Sequence, residues 1–551
     1  SSHFGSRVVT EDSSPVMAHT IAAVDCEIAD KVQVKTALVS VFDKTGLEEL
    51  GKALASHGVK ILSTGGTAAK LRQLGCEVTD VAEYTGSPEI LDGRVKTLHP
   101  KVHGGLLAVR GNDKHEADMR AYGISKIDLV IVNLYPFSEA VAKGGDFATC
   151  IENIDIGGPA MIRASAKNNA SVTCITSPAQ YGHLLEQMSV NEGSTTLAFR
   201  RNAAAAAYAL TASYDAAVSG WFAGEVTSPP TSQSVTFQVE RPLKYGCNPQ
   251  QMPAGLCSLG GNKLPFDVLT GTPRYINLLD AINAWQLVRE LAQASGRPAA
   301  TSFKHVSPAG AAIGIPLSDE DVAVYEVKGQ ELSDTAAALV RARNADPKGS
   351  FGDIVAISHE VDLSTALILK MEATEGIIAP GFSPEALELL KAKKGGKFII
   401  LQADPSFQIP DMEYRSVGGA GFMQKRNAAV FGRSHLESVV TDLKELSESA
   451  KLDLILASIA IKYTQSNSVG YAKDGMMIGI GAGQQSRVDC VKLAGRKLST
   501  WKLRFHPKVQ ALSFKEGVKR QDRVNARVRF IEGDMQPAER AVWEQNFDVV
   551  P

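Results

Sequence analysis

Residues 301–310 read TSFKHVSPAG, which sets Lys304 beside His305 in an otherwise apolar, small-residue stretch. Burial disfavours the charged form of both side chains, so the pair either turns to solvent at a strand end or has chemistry to perform. Phe303 and Val306 flank it, and SPAGAAIG supplies a tight, backbone-exposing turn of the kind that frames a ligand. A histidine base next to a lysine that neutralises developing negative charge suits acyl or formyl transfer.

A second group of residues suggests an anion site. STGGTA sets Ser63, Thr64, Gly65, Gly66 and Thr67 between a strand and a helix N-terminus, where backbone N–H groups and the helix dipole can hold a phosphate. A plain strand-to-helix turn has the same composition. GRVKTLHPKVHGG adds Arg94, Lys96, His99, Lys101 and His103 in one turn-rich loop, more cations than a connection needs. A solvated basic loop is the alternative, but with the glycine turn nearby a phosphate-bearing ligand is the better reading. NIDIGGPAMIRASAKN carries Asp155 just ahead of a Gly-Gly turn and Lys167 at the far end of what reads as a helical turn. Singly, these are a capping aspartate and a surface lysine. KYTQSNSV (462–469) and GIGAGQQSR (479–487) gather amides, hydroxyls and Arg487 beside glycine turns. The second is no dinucleotide fingerprint, because Gln484 stands where the third glycine belongs.

These residues need a scaffold, and the hydrophobic pattern describes one. TALVSVF reads as a buried strand, and LEELGKALASHG as a helix with Leu47, Leu50 and Leu54 on one face. VKILST, EVTDVAEY and DLVIVNLYPF read as further strands, GGTAAKLRQLG as a helix ended by Gly75, and the alanine-rich run from Leu197 as a long helix that packs closely or frays. Strands alternating with helices imply a parallel sheet covered on both faces. A Ser/Thr/Pro-rich stretch at 225–242 is the best linker candidate, with 229–240 at its centre. The α/β texture then returns: a helix at INLLDAINAWQLVRELAQA and strands around 299–305 and at GDIVAISH, EGIIAP, KFIILQ and MMIGIGAG.

The totals bound the answer. A chain of 551 residues is too long for one core and predicts several domain-sized units. With a formal charge of −2 it lacks the basic excess that nucleic acid requires, and no apolar run reaches the length of a membrane span. Seven scattered cysteines without a C-x-x-C indicate neither a disulfide framework nor a zinc site, and fit a reducing, cytosolic compartment. Residues 1–30 lack a signal-peptide pattern and read as a leader or cloning remnant.

Taken together, SVFDKTG, STGGTA, GRVKTLHP, NLYPF, IDIGG, YGCNPQQ, SFKHVSPAGAA, KYTQSNSV and IGAGQQSR resemble, in this order, the bifunctional purine-biosynthesis family of AICAR formyltransferase / IMP cyclohydrolase. The resemblance implies an α/β protein. Its first domain (31–228) is a Rossmann-like parallel sheet of the methylglyoxal-synthase type, and its transformylase region (241–551) is built of paired cytidine-deaminase-like lobes without the zinc. In the implied chemistry His305 takes the proton from the amine of AICAR nucleotide as it attacks the formyl group of 10-formyltetrahydrofolate, and Lys304 assists. Lys244, Tyr245, Gly352, Glu375, Asn467 and Arg487 bind the transfer substrates. Lys244 stands where the family usually has arginine and Glu375 where it has aspartate.

For ring closure of formylated AICAR nucleotide to IMP, the resemblance implies Lys167 as the acid/base group, with Asp155, Tyr135 and Lys96 assisting. Asp43, Lys44, Thr64, Gly65, Gly66, Thr67, Arg94, Thr97, Asn133, Ile156 and Gly157 hold the nucleotide. A folate cosubstrate, no catalytic metal and a homodimer with the transformylase site across the interface are implied as well. Family members continue past the position of Pro551, which leads to the expectation of weak formyl transfer. Two other readings stay open: a cyclohydrolase-only enzyme and a non-catalytic nucleotide-sensing regulator.

Overall fold

The computed structural model describes residues 27–226, 232–260 and 263–551. They form two compact units, one of residues 27–238 with 259–260 and the other of residues 239–258 with 263–551.

The first unit contains β1 (Thr36–Ser40), α1 (Leu47–Ser56), β2 (Lys60–Ser63), α2 (Gly65–Gln73), β3 (Val78–Asp80), α3 (Pro100–Leu107), β4 (Leu129–Val132), α4 (Phe147–Glu152), α5 (Gly157–Lys167), β5 (Thr173–Ile175) and α6 (Leu197–Glu225). The five strands make one all-parallel sheet in the order β3-β2-β1-β4-β5. All four residues of β4 are buried, as a parallel strand covered on both faces requires. Leu47, Leu50 and Leu54 of α1 close one face, and Met161, Ile162, Ala204 and Ala207 of α5 and α6 close the other. Alanines let α6 lie close against its neighbours, so it packs along this face.

Three expectations need correction. EVTDVAEY is strand only to Asp80, whose carboxylate accepts the Ala82 N–H at 3.1 Å and caps a short helix, Val81–Thr85. Residues 1–26 lie outside the described residues, but the expected leader boundary at residue 30 comes too late. The fully buried Arg200 donates to the carbonyls of Ala29, Asp30, Asn169, Ala170 and Thr195, and Lys31–Gln33 pairs with Ser194–Thr196. In the expected linker, residues 227–231 lie outside the described residues. Phe237–Leu243 is a strand, paired in a ribbon with Ala254–Leu259, because TFQV is β-favouring and its backbone finds a partner.

The second unit contains β6 (Phe266–Thr270), α7 (Tyr275–Ser295), β7 (Ala299–Phe303), β8 (Pro308–Ile313), β9 (Asp353–Ile357), β10 (Thr374–Ala379), β11 (Ile399–Ala403), α8 (Glu448–Lys462), β12 (Ser468–Lys473), β13 (Met476–Ala482) and α9 (Arg487–Leu503). Its eight strands form one mixed sheet, ordered β6-β11-β10-β9-β7-β8-β13-β12. The β9, β10 and β11 strands are parallel to one another, and the remaining pairs are antiparallel. The six strands from 266–403 and the two from 468–482 meet at one registered pair, Ala312 with Met476. Both lobes of this region therefore share a sheet.

Candidate active sites

In the parallel sheet the chain order reverses between β1 and β4, so their connections diverge and leave a crevice at the strands' carboxyl ends. A cleft of about 630 Å³ lies there. Asn133, just beyond β4, bridges the reversal: its Oδ1 accepts the N–H groups of Phe42 at 2.5 Å and Asp43 at 3.0 Å, and its Nδ2 donates to the Asp43 carbonyl. Thr67 ties the first turn of α2 to the end of β1 through both backbone groups of Val41. Thr64 makes no side-chain cap, so the first N–H groups of α2 are left for a ligand.

Cations surround that helix end. Lys96 Nζ lies 3.8 Å from the position a Cβ on Gly65 would take, and 3.1 Å from Glu89 Oε2. Arg94 forms an ion pair with Glu152 across the cleft wall, and Lys44 donates to the Phe42 carbonyl. Thr64, Gly65, Gly66, Thr67, Thr97, Tyr135, Ile156 and Gly157 also line the cleft. At the other end Asp155 Oδ1 accepts the Gly158 N–H at 2.8 Å at the start of α5, while the Asp155 N–H donates to the Tyr214 hydroxyl at 2.7 Å. Burial pushes the Asp155 carboxyl above its ordinary 3.8, against the opposing pull of the Gly158 and Tyr135 N–H groups. A raised carboxyl in the same cleft as Lys96 and the α2 N-terminus can exchange a proton with a bound anionic ligand.

Five expected residues lie elsewhere: His99 caps α3, Lys101 and His103 lie in its first turns, and none of the three lines the cleft; Asp43 and Lys167 are the others. Asp43 does not line the cleft; its exposed carboxylate is held below its ordinary pKa by the Thr45 hydroxyl and by the Thr45 N–H, which it accepts at 2.9 Å. Lys167 is the exposed last residue of α5 and does not line the cleft. Ten residues separate it from Gly157, and an α-helix rising 1.5 Å per residue carries it about 15 Å away. The structure adds Glu152, the partner of Arg94, and Phe42, whose ring meets Tyr135 edge-on with centroids 5.8 Å apart.

In the second unit, strand register gathers the other expected residues. Phe303 pairs with Pro308 and Ile354, Asp353 with Thr374, and Ser468 with Ala482. Lys304, His305, Gly352, Glu375, Asn467 and Arg487 therefore share one end of the eight-stranded sheet. Lys304 and His305 form the β7–β8 turn, closed by the Lys304 N–H to the Ser307 carbonyl at 2.9 Å. Lys304 Nζ donates to the Phe351 carbonyl at 2.6 Å, and the other N–H bonds of the ammonium remain available. Asn467 Nδ2 reaches the carbonyls of Gln484 and Gln485, both at 3.2 Å, which fixes the amide beside the start of α9. The Glu375 carboxylate faces Arg274 at 3.5 Å and Lys394 at 3.3 Å. Lys244 and Tyr245 follow the ribbon strand and stand outside this sheet.

Two family models match the chain. Residues 46–160 match the MGS-like domain family, and residues 165–497 match the family described as AICARFT/IMPCHase bienzyme. A "Bifunctional purine biosynthesis protein PurH" of Ruegeria sp. (strain TM1040) is 43% identical over 475 residues, 85% of this chain and 86% of that protein. One of the same description from Rhizobium rhizogenes (strain K84 / ATCC BAA-868) is 42% identical over 473 residues, 85% of this chain and 84% of its own. A solved structure described as "Crystal structure of ForH" is 34% identical over 35% of this chain and 100% of its own, with a TM-score of 0.32. The family match spans more than half of the sequence, and the chain belongs to the AICARFT/IMPCHase bienzyme family.

Proposed function

We propose that the cleft of the first unit closes the ring of formylated AICAR nucleotide and that the sheet end of the second unit transfers the formyl group. The chain is a bifunctional enzyme of purine biosynthesis, a formyltransferase and an IMP cyclohydrolase that performs the last two steps. The family match runs across both units, which disfavours a nucleotide sensor or a cyclohydrolase alone.

The observation that carries the cyclisation assignment is the meeting of an uncapped helix N-terminus, Lys96 and Asp155 in one cleft. The α2 N–H groups, Lys44 and Arg94 hold the nucleotide phosphate. The carboxamide nitrogen attacks the formyl carbon, Asp155 accepts one of its protons and returns it to the carbinolamine oxygen, whose developing charge Lys96 stabilises, and that oxygen leaves as water with a second proton from the formamido N–H, whose loss forms the ring C=N bond. Tyr135 stands beside the reacting groups as a hydroxyl donor. Lys167 is left out of this set because of its position.

In the second unit the amine of AICAR nucleotide attacks the formyl carbon of a folate donor, in this proposal 10-formyltetrahydrofolate. His305 takes the amine proton, and Lys304 stabilises the tetrahedral oxyanion and supplies a proton to the departing folate nitrogen. Asn467, Arg487, Gly352 and Glu375 lie at the same sheet end to orient the substrates, with Lys244 and Tyr245 at the phosphate. Homodimeric assembly and a cytosolic setting belong to the same proposal. Among the described residues no helix is long and apolar enough to cross a membrane.

Binding of the product tests the cyclisation assignment. Lys44→Ala should weaken IMP binding to the full chain by about 10-fold or more, the scale of a lost charge-assisted contact, and leave formyl transfer unchanged. Parental IMP affinity in this variant would contradict the assignment.

A further inference from the structure

The β7–β8 turn is built in an unfavourable conformation. His305 and Val306 occupy its two central positions with φ of 53° and 59°, the left-handed pair that two-residue hairpins normally give to asparagine or glycine. For Val306, a β-branched residue, this region is a genuine outlier. Such a conformation persists only where its surroundings impose it.

The imposing group lies in α7. Asp280 is 4% exposed, and its carboxylate accepts the backbone N–H groups of both His305 and Val306, the latter at 2.6 Å. Burial pushes the Asp280 carboxyl up, and the two N–H donors pull against that shift. A carboxylate taken out of water into an apolar helix face is costly unless something requires it there. Here it meets two N–H groups that the turn itself leaves unpaired.

We propose that Asp280 is a positioning residue for formyl transfer: by holding both N–H groups of the left-handed His305–Val306 turn, it fixes where the His305 ring stands relative to the bound amine. The inference rests on the reading of Lys304 and His305 as the transfer pair. Asp280 acts through these two N–H groups and through the attraction of its carboxylate to the His305 ring, and touches neither substrate. Without it, the turn relaxes toward conformations that Val306 prefers, and the imidazole moves with the turn.

The test uses the full chain and four variants, His305→Ala, Asp280→Ala, Asp280→Asn and the double variant Asp280→Ala with Val306→Gly. Formyl transfer from 10-formyltetrahydrofolate to AICAR nucleotide and the cyclisation of supplied formylated nucleotide are both measured. Asp280→Ala should lower kcat for transfer by about 10- to 100-fold, the scale of an ångström-sized misplacement, with KM changed far less and cyclisation intact. Glycine adopts positive φ without penalty, so Val306→Gly should restore at least threefold of the loss. If Asp280→Ala does not fold, the isosteric Asp280→Asn is read instead and should show a smaller loss in kcat. A folded Asp280 variant with parental kcat would overturn the proposal, as would a loss that Val306→Gly leaves untouched. Transfer surviving His305→Ala would remove the underlying reading; transfer lost in His305→Ala but intact in Asp280→Ala would remove this inference alone.

Discussion

Gly158→Ala is the sharpest probe of the cyclisation cleft. Gly158 is the second residue of α5, buried, and a Cβ there would lie 2.6 Å from Asp155 Oδ2 and 2.7 Å from Leu134 Cδ2. Ordinary contact begins at 3.4 Å, so the carboxylate must retreat by about 0.8 Å. Its φ is not positive, and space is therefore the only obstacle. Two effects on stability oppose each other: alanine in place of helical glycine gains up to about 1 kcal/mol, and overpacking costs about 1–3 kcal/mol. The net loss is about 0–3 kcal/mol, at most about 10 °C of melting temperature for a unit of this size. Activity responds more strongly, because a catalytic group displaced by nearly an ångström loses on the order of 10- to 100-fold in rate. Conversion of formylated AICAR nucleotide to IMP, followed by absorbance well below the melting temperature, should fall by that factor while formyl transfer stays at the parental rate. A folded variant with parental cyclisation would refute the placement of Asp155 at the reacting atoms. Equal losses in both activities would show that the effect is general unfolding.

Gly220→Ala supplies the reference for helix propensity: Gly220 lies within α6 with nothing near its Cβ position, so the first unit should gain about 1 kcal/mol, read as a higher melting temperature in a thermal scan. The raised Asp155 carboxyl predicts that cyclisation falls as the medium is acidified at pH values above the usual aspartate range, in a pH–rate profile taken with formylated nucleotide. Linkage has a definite sign here. A pKa raised on folding stabilises the fold below the ordinary 3.8, and that contribution is lost as pH rises through the folded value. The parent should therefore lose stability relative to Asp155→Asn over that window, by denaturant titration. Glu152→Gln frees Arg94 from its ion pair, so IMP should bind severalfold more tightly and with a steeper salt dependence in calorimetric titrations.

Local patterns were legible where the chemistry is local. The uncapped helix start at Thr64 to Thr67 could be read because its glycines, hydroxyls and helix turn are adjacent in sequence, and the β4 run LVIV declared a doubly covered strand. Lys167, whose role is implied by the resemblance, ends α5 ten residues and about 15 Å beyond Gly157, a distance that its place in the motif does not convey. Arg200 was hidden inside an alanine-rich helix, since its five carbonyl partners come from three separate segments. Asp280 was equally silent, one acidic position in an apolar helix whose partners come 25 and 26 residues later. The ribbon strand at Phe237 was masked by the Ser/Thr/Pro-rich stretch ahead of it, although TFQV alternates as a strand does.

The central claim is that one chain carries two separate sites for consecutive reactions, and crossing two variants tests it directly. Full-length His305→Ala and Asp155→Asn are each given AICAR nucleotide with 10-formyltetrahydrofolate, and separately formylated AICAR nucleotide, with both products quantified. His305→Ala should form neither product from AICAR nucleotide and still turn formylated nucleotide into IMP at the parental rate. Asp155→Asn should consume AICAR nucleotide normally and accumulate the formylated intermediate. If either variant, still folded, loses both reactions or retains the one assigned to its residue, the division of labour between the two units is wrong.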